Sequence, residues 1–155
     1  MIRVELRGVV EADLPILFEH QRDPEANWMA AFPPRDEPAF MAHWARILAD
    51  GSLIARAILV DGQVAGNVVS FEQRGQRLVG YWLGREYWGR GVATAALGAF
   101  LVEVRERPLH ARVAKHNVGS LRVLEKCGFT ISGEDVIPAE EMGEEIEEFV
   151  LRLER

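Results

Sequence analysis

The residues with the clearest chemical meaning lie between Tyr81 and Thr94, where Gly89 and Gly91 come just before an alanine-rich run. The pattern predicts a strand, a glycine-containing turn and the first turn of a helix. Main-chain amides at the start of a helix have no acceptor within it, and they lie at the positive end of the helix dipole. Glycine also lets a ligand approach the main chain closely. The segment is therefore predicted to bind an anion such as a pyrophosphate, although the same glycines would also serve simply to turn the chain.

This loop differs from both common nucleotide-binding loops. No Gly-Lys-Ser or Gly-Lys-Thr follows the two glycines, and the spacing of three glycines that marks a dinucleotide-binding fold is missing.

The charge of the chain is unevenly distributed. The net charge is -6, but the segment from Arg77 to Lys126 holds nine Arg or Lys and four Glu. A chance distribution of solvated charges would explain this, and so would a small polyphosphate bound by the middle of the chain.

A second segment, Asn117 to Phe129, carries the residues that begin and end a helix. Asn117 is typical of a helix N-cap, and Gly128 is typical of the position after the last helical turn. Capping alone would account for both residues. The two segments are separated by a predicted helix and strand, in an order that would bring their ends together.

Together the two segments resemble the signatures of the GCN5-related N-acetyltransferases, which use acetyl-CoA. Gly89 and Gly91 match the two small positions of the family motif Arg/Gln-x-x-Gly-x-Gly/Ala, whereas Glu86 stands where the family has Arg or Gln. The second segment resembles an Asn at the start of a helix that ends in Lys-x-Gly-Phe. The run GYWLGREYWGRGVATAAL, residues 80–97, is similar in particular to the RimJ/RimL-like branch of the family.

The resemblance implies a single α/β domain over residues 1–155, with a mixed, largely antiparallel sheet flanked by helices. It implies an N-acetyltransferase that moves the acetyl group of acetyl-CoA to a primary amine by direct transfer in a ternary complex. The acceptor would be a protein or peptide N-terminus or a small amine. A non-catalytic acyl-CoA-binding or regulatory protein is the alternative, since Leu124 and Leu78 stand where many relatives have a catalytic Tyr and Glu.

The resemblance also implies which residues hold the cofactor. In the family the pantetheine arm of coenzyme A lies along the strand that here ends near Leu83, and the pyrophosphate binds the glycine loop. The residues expected to bind the cofactor are Leu83, Tyr87, Trp88, Gly89, Arg90, Gly91, Val92, Ala93, Thr94, Asn117 and Ser120. Tyr81 and Trp82 point to opposite faces of the strand, so at least one of them is expected to pack in the core. No metal is expected.

Acyl transfer from a thioester to an amine requires two proton movements. An alkylammonium with a pKa of about 10 must lose a proton before it attacks, and the departing thiolate leaves more easily when it is protonated. Many relatives use a helix tyrosine as the acid, at the position of Leu124. Ser120 lies one helical turn earlier on the same face, so it is the candidate to hydrogen-bond the sulfur, although it would also suit a backbone amide at the helix start.

Several groups are candidates for the base. Relatives frequently place a Glu just before the Gly-Tyr-Trp strand, where this chain has Leu78. Glu72, at the end of the preceding strand, and Glu140 or Glu141 in a later acidic loop are possible substitutes. Each of them also suits a solvated surface charge, and a chain of water molecules would serve as well. A main-chain amide near Leu83 is expected to stabilise the tetrahedral oxyanion.

In relatives the acceptor site is lined by the part of the fold to which His43, Trp44 and residues 28–34 correspond. Core packing of Trp44 and solvent exposure of His43 would explain these two residues equally well. Neither His110 nor His116 has a partner at metal-ligand spacing, so both are expected to be structural.

The composition argues against several other classes of protein. Hydrophobic residues make up 48% of the chain, but no apolar run approaches the roughly 20 residues that span a bilayer, so no membrane partner is expected. The first residues lack the features of a secretory signal, which favours a cytoplasmic location. Cys127 has no second thiol for a disulfide or a zinc site. The net charge of -6 argues against nucleic acid as a partner, whereas the apolar final strands would allow a homodimer.

The remaining sequence predicts the elements that must position these residues. Strands are predicted at 3–7, 53–60, 63–71, 78–83, 109–114, 129–137 and 147–153, and helices at 11–20, 40–50, 92–104 and 117–127. Asp61-Gly62 predicts a hairpin turn. Residues 27–38, with three prolines, are predicted to be irregular, and an acidic loop is predicted between the last two strands.

Overall fold

The computed structural model describes residues 2–155. The helices are α1 (Leu14–Gln21), α2 (Pro24–Ala30), α3 (Glu37–Ala49), α4 (Val92–Glu103), α5 (Val118–Lys126) and α6 (Ala139–Met142). The strands are β1 (Val4–Gly8), β2 (Ile54–Val60), β3 (Gln63–Gln73), β4 (Gln76–Leu83), β5 (Leu109–Ala114), β6 (Thr130–Ile137) and β7 (Ile146–Leu153). Single turns of 3-10 helix occupy Glu11–Asp13 and Arg85–Tyr87.

The strands of the described residues form one sheet in the order β1-β2-β3-β4-β5-β7-β6. Neighbouring strands are antiparallel except β4 and β5, which run parallel. Helices α1 and α3 pack on one face of the sheet, and α4 and α5 pack on the other. The predicted fold, a mixed and largely antiparallel sheet flanked by helices, is therefore confirmed.

Two tight turns join the first antiparallel strands. Asp61 and Gly62, with φ of 49° and 83°, connect β2 to β3, and Arg74 and Gly75, with φ of 52° and 78°, connect β3 to β4. Positive φ at both central residues is the geometry whose twist matches that of paired strands. The hairpin predicted at Asp61-Gly62 is therefore confirmed.

The prediction that residues 27–38 are irregular is wrong at both ends of that segment. Helix α2 already begins at Pro24, because the Asp23 side chain accepts a hydrogen bond from the amide of Glu25 at 3.0 Å. A proline in the first helical turn costs no hydrogen bond. The helix ends at Ala31, whose φ of 53° is left-handed. The segment therefore contributes a helix, and only residues 31–36 are irregular.

Two smaller differences concern α3 and the acidic loop. The Asp36 side chain accepts a hydrogen bond from the amide of Ala39 at 2.9 Å, so α3 begins at Glu37, three residues before the predicted start. The loop before β7 contains the short helix α6, which Pro138 precedes and Gly143 ends with a φ of 80°.

The hydrophobic core has two layers, one on each face of the sheet. Between the sheet and α4 and α5, the core includes the fully buried side chains of Val68, Leu97, Phe100 and Leu151. The layer under α1 and α3 is smaller and centres on the aromatic residues Phe18, Phe40 and Trp44. The central strands are therefore buried on both faces, which fixes the position of β4 between two sets of helices.

A charged pair fixes the connection from β1 to α1. Arg7 donates to both carboxylate oxygens of Asp13, at 2.7 and 2.9 Å, and the amide of Val10 donates to the same carboxylate at 2.9 Å. The Asp13 side chain is only 5% exposed. The hydrogen bond from Arg7 lowers the pKa of Asp13, so the carboxylate is ionised at neutral pH and holds α1 in place.

Candidate active site

A cavity of about 580 Å³ lies where β4 and β5 separate. The two strands pair only at Leu78 and His110, near the beginning of each strand. Beyond this pair the cavity is lined by Val79–Leu83 of β4 and by Ala111–Ala114 of β5. The main-chain edges that face the gap are therefore open to a ligand rather than joined to a neighbouring strand. We call this space the first cavity.

The start of α4 opens into the first cavity and has no side-chain cap. The first main-chain hydrogen bond of the helix runs from the amide of Ala95 to the carbonyl of Gly91 at 3.1 Å. The amides of residues 92–94 consequently have no acceptor among residues 2–155. The first turn also contains no acidic residue, so nothing on α4 neutralises the positive end of its dipole.

Glycine is required at both positions of the loop before α4. Gly89 and Gly91 have φ of 72° and 78°, in the left-handed region that other residues rarely adopt. A Cβ built on either glycine would meet nothing within 4 Å. The space in front of these amides is therefore open, and the backbone conformation rather than crowding favours glycine.

Contacts from other elements hold this loop in place. Arg85 donates to a carboxylate oxygen of Asp23 at 2.7 Å, which ties the loop to the start of α2. Trp88 Nε1 donates to the carbonyl of Leu83 at 3.1 Å. A Cβ on Gly84 would lie 2.8 Å from the ring of His20, so α1 packs directly against the main chain of the loop.

Helix α5 begins at the opposite wall of the first cavity. Asn117 Oδ1 accepts a hydrogen bond from the amide of Ser120 at 3.2 Å, so Asn117 acts as the N-cap while it also lines the cavity. At the other end of α5, Cys127 Sγ donates to the carbonyl of Thr94 at 3.7 Å. Burial raises the pKa of the Cys127 thiol, which keeps it protonated, and the thiol does not line the cavity.

A hydrogen bond from Tyr81 to Ser120 crosses the first cavity and was not predicted from the sequence. The hydroxyl of Tyr81 on β4 donates to Ser120 Oγ on α5 at 2.9 Å. Burial raises the pKa of Tyr81, so the phenol keeps its proton at neutral pH. Side chains alternate between the two faces along β4, so Tyr81 lies with Val79 and Leu83 on the face toward α4 and α5. This alternation is the sequence pattern that indicates the face of Tyr81.

A second cavity, of about 640 Å³, lies on the other side of β4, between the sheet and helices α1 and α3. It shares Phe32 and the segment Gly80–Trp82 with the first cavity. Trp82 is held by a hydrogen bond of 3.3 Å from its Nε1 to the carbonyl of His20 and by edge contact with Phe32, at 6.2 Å between ring centres. The two spaces therefore meet at one short stretch of β4.

The ionisable groups of the second cavity are Arg35, His43, Asp50 and Glu72. The Arg35 guanidinium lies 4.8 Å from the ring centre of Phe32, and burial lowers its pKa. Burial, and then the nearby positive charges, also lower the pKa of His43. Asp50 accepts hydrogen bonds from the amide and hydroxyl of Ser52, at 2.9 and 2.7 Å.

The structure separates the predicted site residues into two groups. All of the predicted cofactor residues except the exposed Arg90 line the first cavity, as Ser120 does. Glu72 lines the second cavity, at the exposed end of β3. Glu140 and Glu141 lie on α6 and line neither space.

Other sequence predictions also have definite positions. His43 and Trp44 line the second cavity, whereas Trp28 stacks on His116 with 4.2 Å between ring centres and lines neither cavity. Within residues 2–155, no three His, Cys, Asp or Glu side chains are arranged to hold a metal ion. In the same part of the chain, no helix has both the length and the apolar character needed to cross a bilayer.

Solved structures of acetyltransferases share this fold. The GNAT-family acetyltransferase from Bacillus anthracis superimposes with a TM-score of 0.83 and 17% identity, over 98% of this chain and 95% of that one. For spermidine N-acetyltransferase from Vibrio cholerae, in complex with CoA and spermine, the TM-score is 0.84 and the identity is 15%, over 97% of this chain and 95% of that one. For aminoglycoside acetyltransferase AAC(6')-Ib, in complex with coenzyme A, the TM-score is 0.78 and the identity is 19%, over 99% of this chain and 95% of that one.

The sequence itself matches one family. No curated protein sequence matches the chain significantly. The sequence model of the family described as "Acetyltransferase (GNAT) domain" matches residues 3–130, which include both the glycine loop and the segment that begins at Asn117. The chain therefore belongs to the GNAT acetyltransferase family.

Proposed function

We propose that the chain is an acetyl-CoA-dependent N-acetyltransferase that transfers the acetyl group directly to a primary amine in a ternary complex. The observation that carries this proposal is the uncapped, acid-free start of α4 opening into the gap between β4 and β5. Unpaired amides and a helix dipole provide a site for a diphosphate, and the gap provides an extended channel for an amide-containing arm.

The first cavity has groups that suit the pyrophosphate and the pantetheine arm of coenzyme A. The pyrophosphate accepts hydrogen bonds from the amides of residues 92–94 and from the glycine loop. Arg122 and Lys126 of α5 line the same cavity and add positive charge for phosphate groups. The pantetheine amides pair with the open edge of β4, and the amide nitrogen of Asn117, whose Oδ1 caps α5, remains to meet the arm.

Ser120 donates a hydrogen bond to the sulfur of the departing thiolate. The Tyr81 hydroxyl lies 2.9 Å from Ser120 Oγ, and when the phenol donates in this bond the serine proton is left to meet an acceptor in the cavity. Tyr81 therefore acts as a positioning residue, because it orients the proton of Ser120 without touching the reacting atoms. This pair takes the place of the helix tyrosine, where the chain has the buried Leu124.

The amine reaches the thioester from the second cavity, at the shared segment Gly80–Trp82. A neutral amine attacks the carbonyl carbon, the C–N bond forms, and the C–S bond breaks with its electron pair going to sulfur. Starting from an ammonium ion, one proton is released to solvent and one remains on the CoA thiol. Glu72, which lines the second cavity at the end of β3 away from Gly80–Trp82, is the proposed acceptor of the amine proton through a chain of water molecules.

A thiol-release assay with acetyl-CoA tests the proposal. The protein is mixed with small amines and with peptides that have free N-termini, and calorimetry measures CoA affinity separately. Saturable CoA binding together with amine-dependent thiol release supports the proposal. CoA binding without thiol release for any acceptor would identify a non-catalytic acyl-CoA-binding protein, and failure to bind CoA would refute both.

Finer properties remain predictions of the sequence resemblance. A RimJ/RimL-like protein would acetylate peptide N-termini faster than small amines, which the same assay measures. A homodimer would use the closing strands, of which β6 is the edge strand and exposes Ile131 and Val136. Fractionation of cells would test the cytoplasmic location.

A further inference from the structure

The second cavity contains a pair of basic side chains with no acidic partner. Arg35 lies in the irregular segment between α2 and α3, and His43 lies on α3. Among residues 2–155, the charged neighbour that shifts the pKa of Arg35 is Arg46, another cation, and His43 is affected by both arginines. No carboxylate of this part of the chain compensates either group.

An uncompensated, partly buried guanidinium is costly, because burial removes water that would otherwise solvate the charge. Other arginines have partners among residues 2–155: the half-buried Arg107 donates to the main-chain carbonyl of Val104 at 2.8 Å, and several others pair with acids. Arg7 is bound by Asp13, and Arg112 donates to Asp135 at 2.9 Å and to Glu148 at 2.7 Å. Arg35 instead rests on the face of Phe32, with its planar donors available to the cavity.

The acidic groups of the cavity lie at its other end. Asp50 is the C-cap of α3 and follows His43 by about two helical turns, roughly 10 Å along the axis. Its carboxylate is already engaged by Ser52. Glu72 lies at the end of β3. The cavity is therefore basic beside Arg35 and His43 and acidic beside Asp50 and Glu72.

The basic end is also close to the place where the two cavities meet. The Arg35 guanidinium lies 4.8 Å from the Phe32 ring, and the Phe32 ring lies 6.2 Å from that of Trp82, which belongs to the shared segment. The Arg35 guanidinium is therefore no more than about 11 Å from the Trp82 ring. This separation fits a molecule with an anionic group and an amine a few bonds apart.

We propose that Arg35 and His43 form an anion subsite that selects small acceptors carrying a carboxylate as well as the amine, as amino acids do. This inference rests on the proposed transferase function and specifies its acceptor. Two nitrogens of the Arg35 guanidinium donate parallel hydrogen bonds to the carboxylate, and His43 donates a third. The carboxylate replaces the counter-ion that the chain does not supply, and the amine is held toward Gly80–Trp82.

The test compares the twenty common amino acids with their amides, which keep the amine and lose the carboxylate. In the thiol-release assay we expect kcat/KM for the best amino acid to exceed that of its amide by about tenfold or more. Arg35→Gln should remove that preference by lowering kcat/KM for the amino acid. For the amide, kcat/KM should stay within about twofold of the parent value. Arg35→Lys keeps the charge without the fork, so it should restore only part of the preference.

Arg46→Gln is the matched control, because it removes the same charge from the exposed side of α3, outside the cavity. In this variant the ratio of kcat/KM for the amino acid to that for its amide should stay within about twofold of the parent value. All three variants should bind CoA with the affinity of the parent protein. Equal rates for acids and amides, or an Arg35→Gln variant that keeps the preference, would overturn the anion subsite while the transferase function stands. Absence of acetylation in both sets would also overturn the anion subsite, and only absence with every small amine and peptide of the wider panel, with CoA bound, would refute the transferase proposal itself.

Discussion

The two cavities that meet at β4 are built in different ways. The first offers main-chain groups to a ligand, namely the open edges of β4 and β5, two left-handed glycines and the uncapped start of α4. The second is made of side chains from segments far apart in the sequence, including Phe32, Arg35, His43 and Glu72. A main-chain site tolerates many side chains but depends on local geometry, whereas a side-chain site can change specificity one residue at a time.

Gly91→Glu should have the largest effect, because it places a carboxylate beside the unpaired amides of the first cavity. We expect the affinity for CoA to fall by at least about 100-fold, close to 3 kcal/mol. Gly91→Ala is the control, since it carries the strain of a φ of 78° without charge, and it should weaken binding by only a few fold. Calorimetry measures both, and equal losses in the two variants would show that strain rather than the anion site is responsible.

Ser120→Ala should lower kcat by about 100-fold, in the range typical of a lost proton donor, with KM for acetyl-CoA little changed. Tyr81→Phe should lower kcat by about tenfold, because Ser120 keeps its hydroxyl but loses the bond that orients it. Ser120→Thr, which retains a hydroxyl, should recover part of the rate.

If Tyr81 serves only for packing, Tyr81→Phe will leave kcat unchanged. The double variant should be no slower than Ser120→Ala alone, since both changes act on one hydrogen bond to sulfur. A larger, additive loss would mean that the two residues act separately.

Glu72→Gln tests the proton acceptor proposed for the second cavity. We expect kcat/KM to fall by about tenfold at neutral pH, where the amine is protonated and needs a base. The loss should shrink as the pH approaches about 10, because the ammonium ion then loses its proton in solution and no longer needs a base. A loss that stays constant with pH would indicate a binding role, and no loss would favour water as the base.

The smallest effect on activity is expected at the support of the second cavity, where the change is in stability. Asp13→Asn removes the charge that Arg7 binds beside α1, whose Leu17 lines that cavity. We expect the free energy of unfolding to fall by about 1–3 kcal/mol, measured by thermal melting at neutral pH.

The pH dependence of stability checks the same pair. Because the folded state lowers the pKa of Asp13, its contribution is present above the unfolded value of about 3.9 and disappears as the pH falls through the lower folded pKa. The parent and Asp13→Asn should therefore converge in stability in acid. A difference that persists unchanged into strong acid would contradict this assignment.

The first cavity could be predicted from the sequence to a greater extent than the second. Gly89, Gly91 and Asn117 have backbone and capping roles that depend on their near neighbours, so short motifs identify them. The strands and their turns follow from alternation and from Asp61-Gly62 for the same reason. Helix α2 is a local exception, because Asp23 and Pro24 begin a helix whereas the three prolines of residues 27–38 favour irregular structure.

The second cavity depends on tertiary packing that no local pattern contains. Arg35 follows two prolines in an irregular segment, and only the fold shows that it lies over Phe32 and lines a cavity with His43. The bond between Tyr81 and Ser120 joins residues 39 positions apart. The strand alternation indicates the face of Tyr81, but not its partner on α5.

The single point of pairing between β4 and β5 has a mechanical consequence. Within the described residues 2–155, the sheet is one unit of four strands and one of three, and Leu78 and His110 form the single strand-to-strand pairing between them. A bound pantetheine arm would lie in the gap between β4 and β5, in the position that an additional strand would occupy. The substrate that carries the acetyl group would thus also stiffen the protein, and departure of CoA would return the two halves to a looser state.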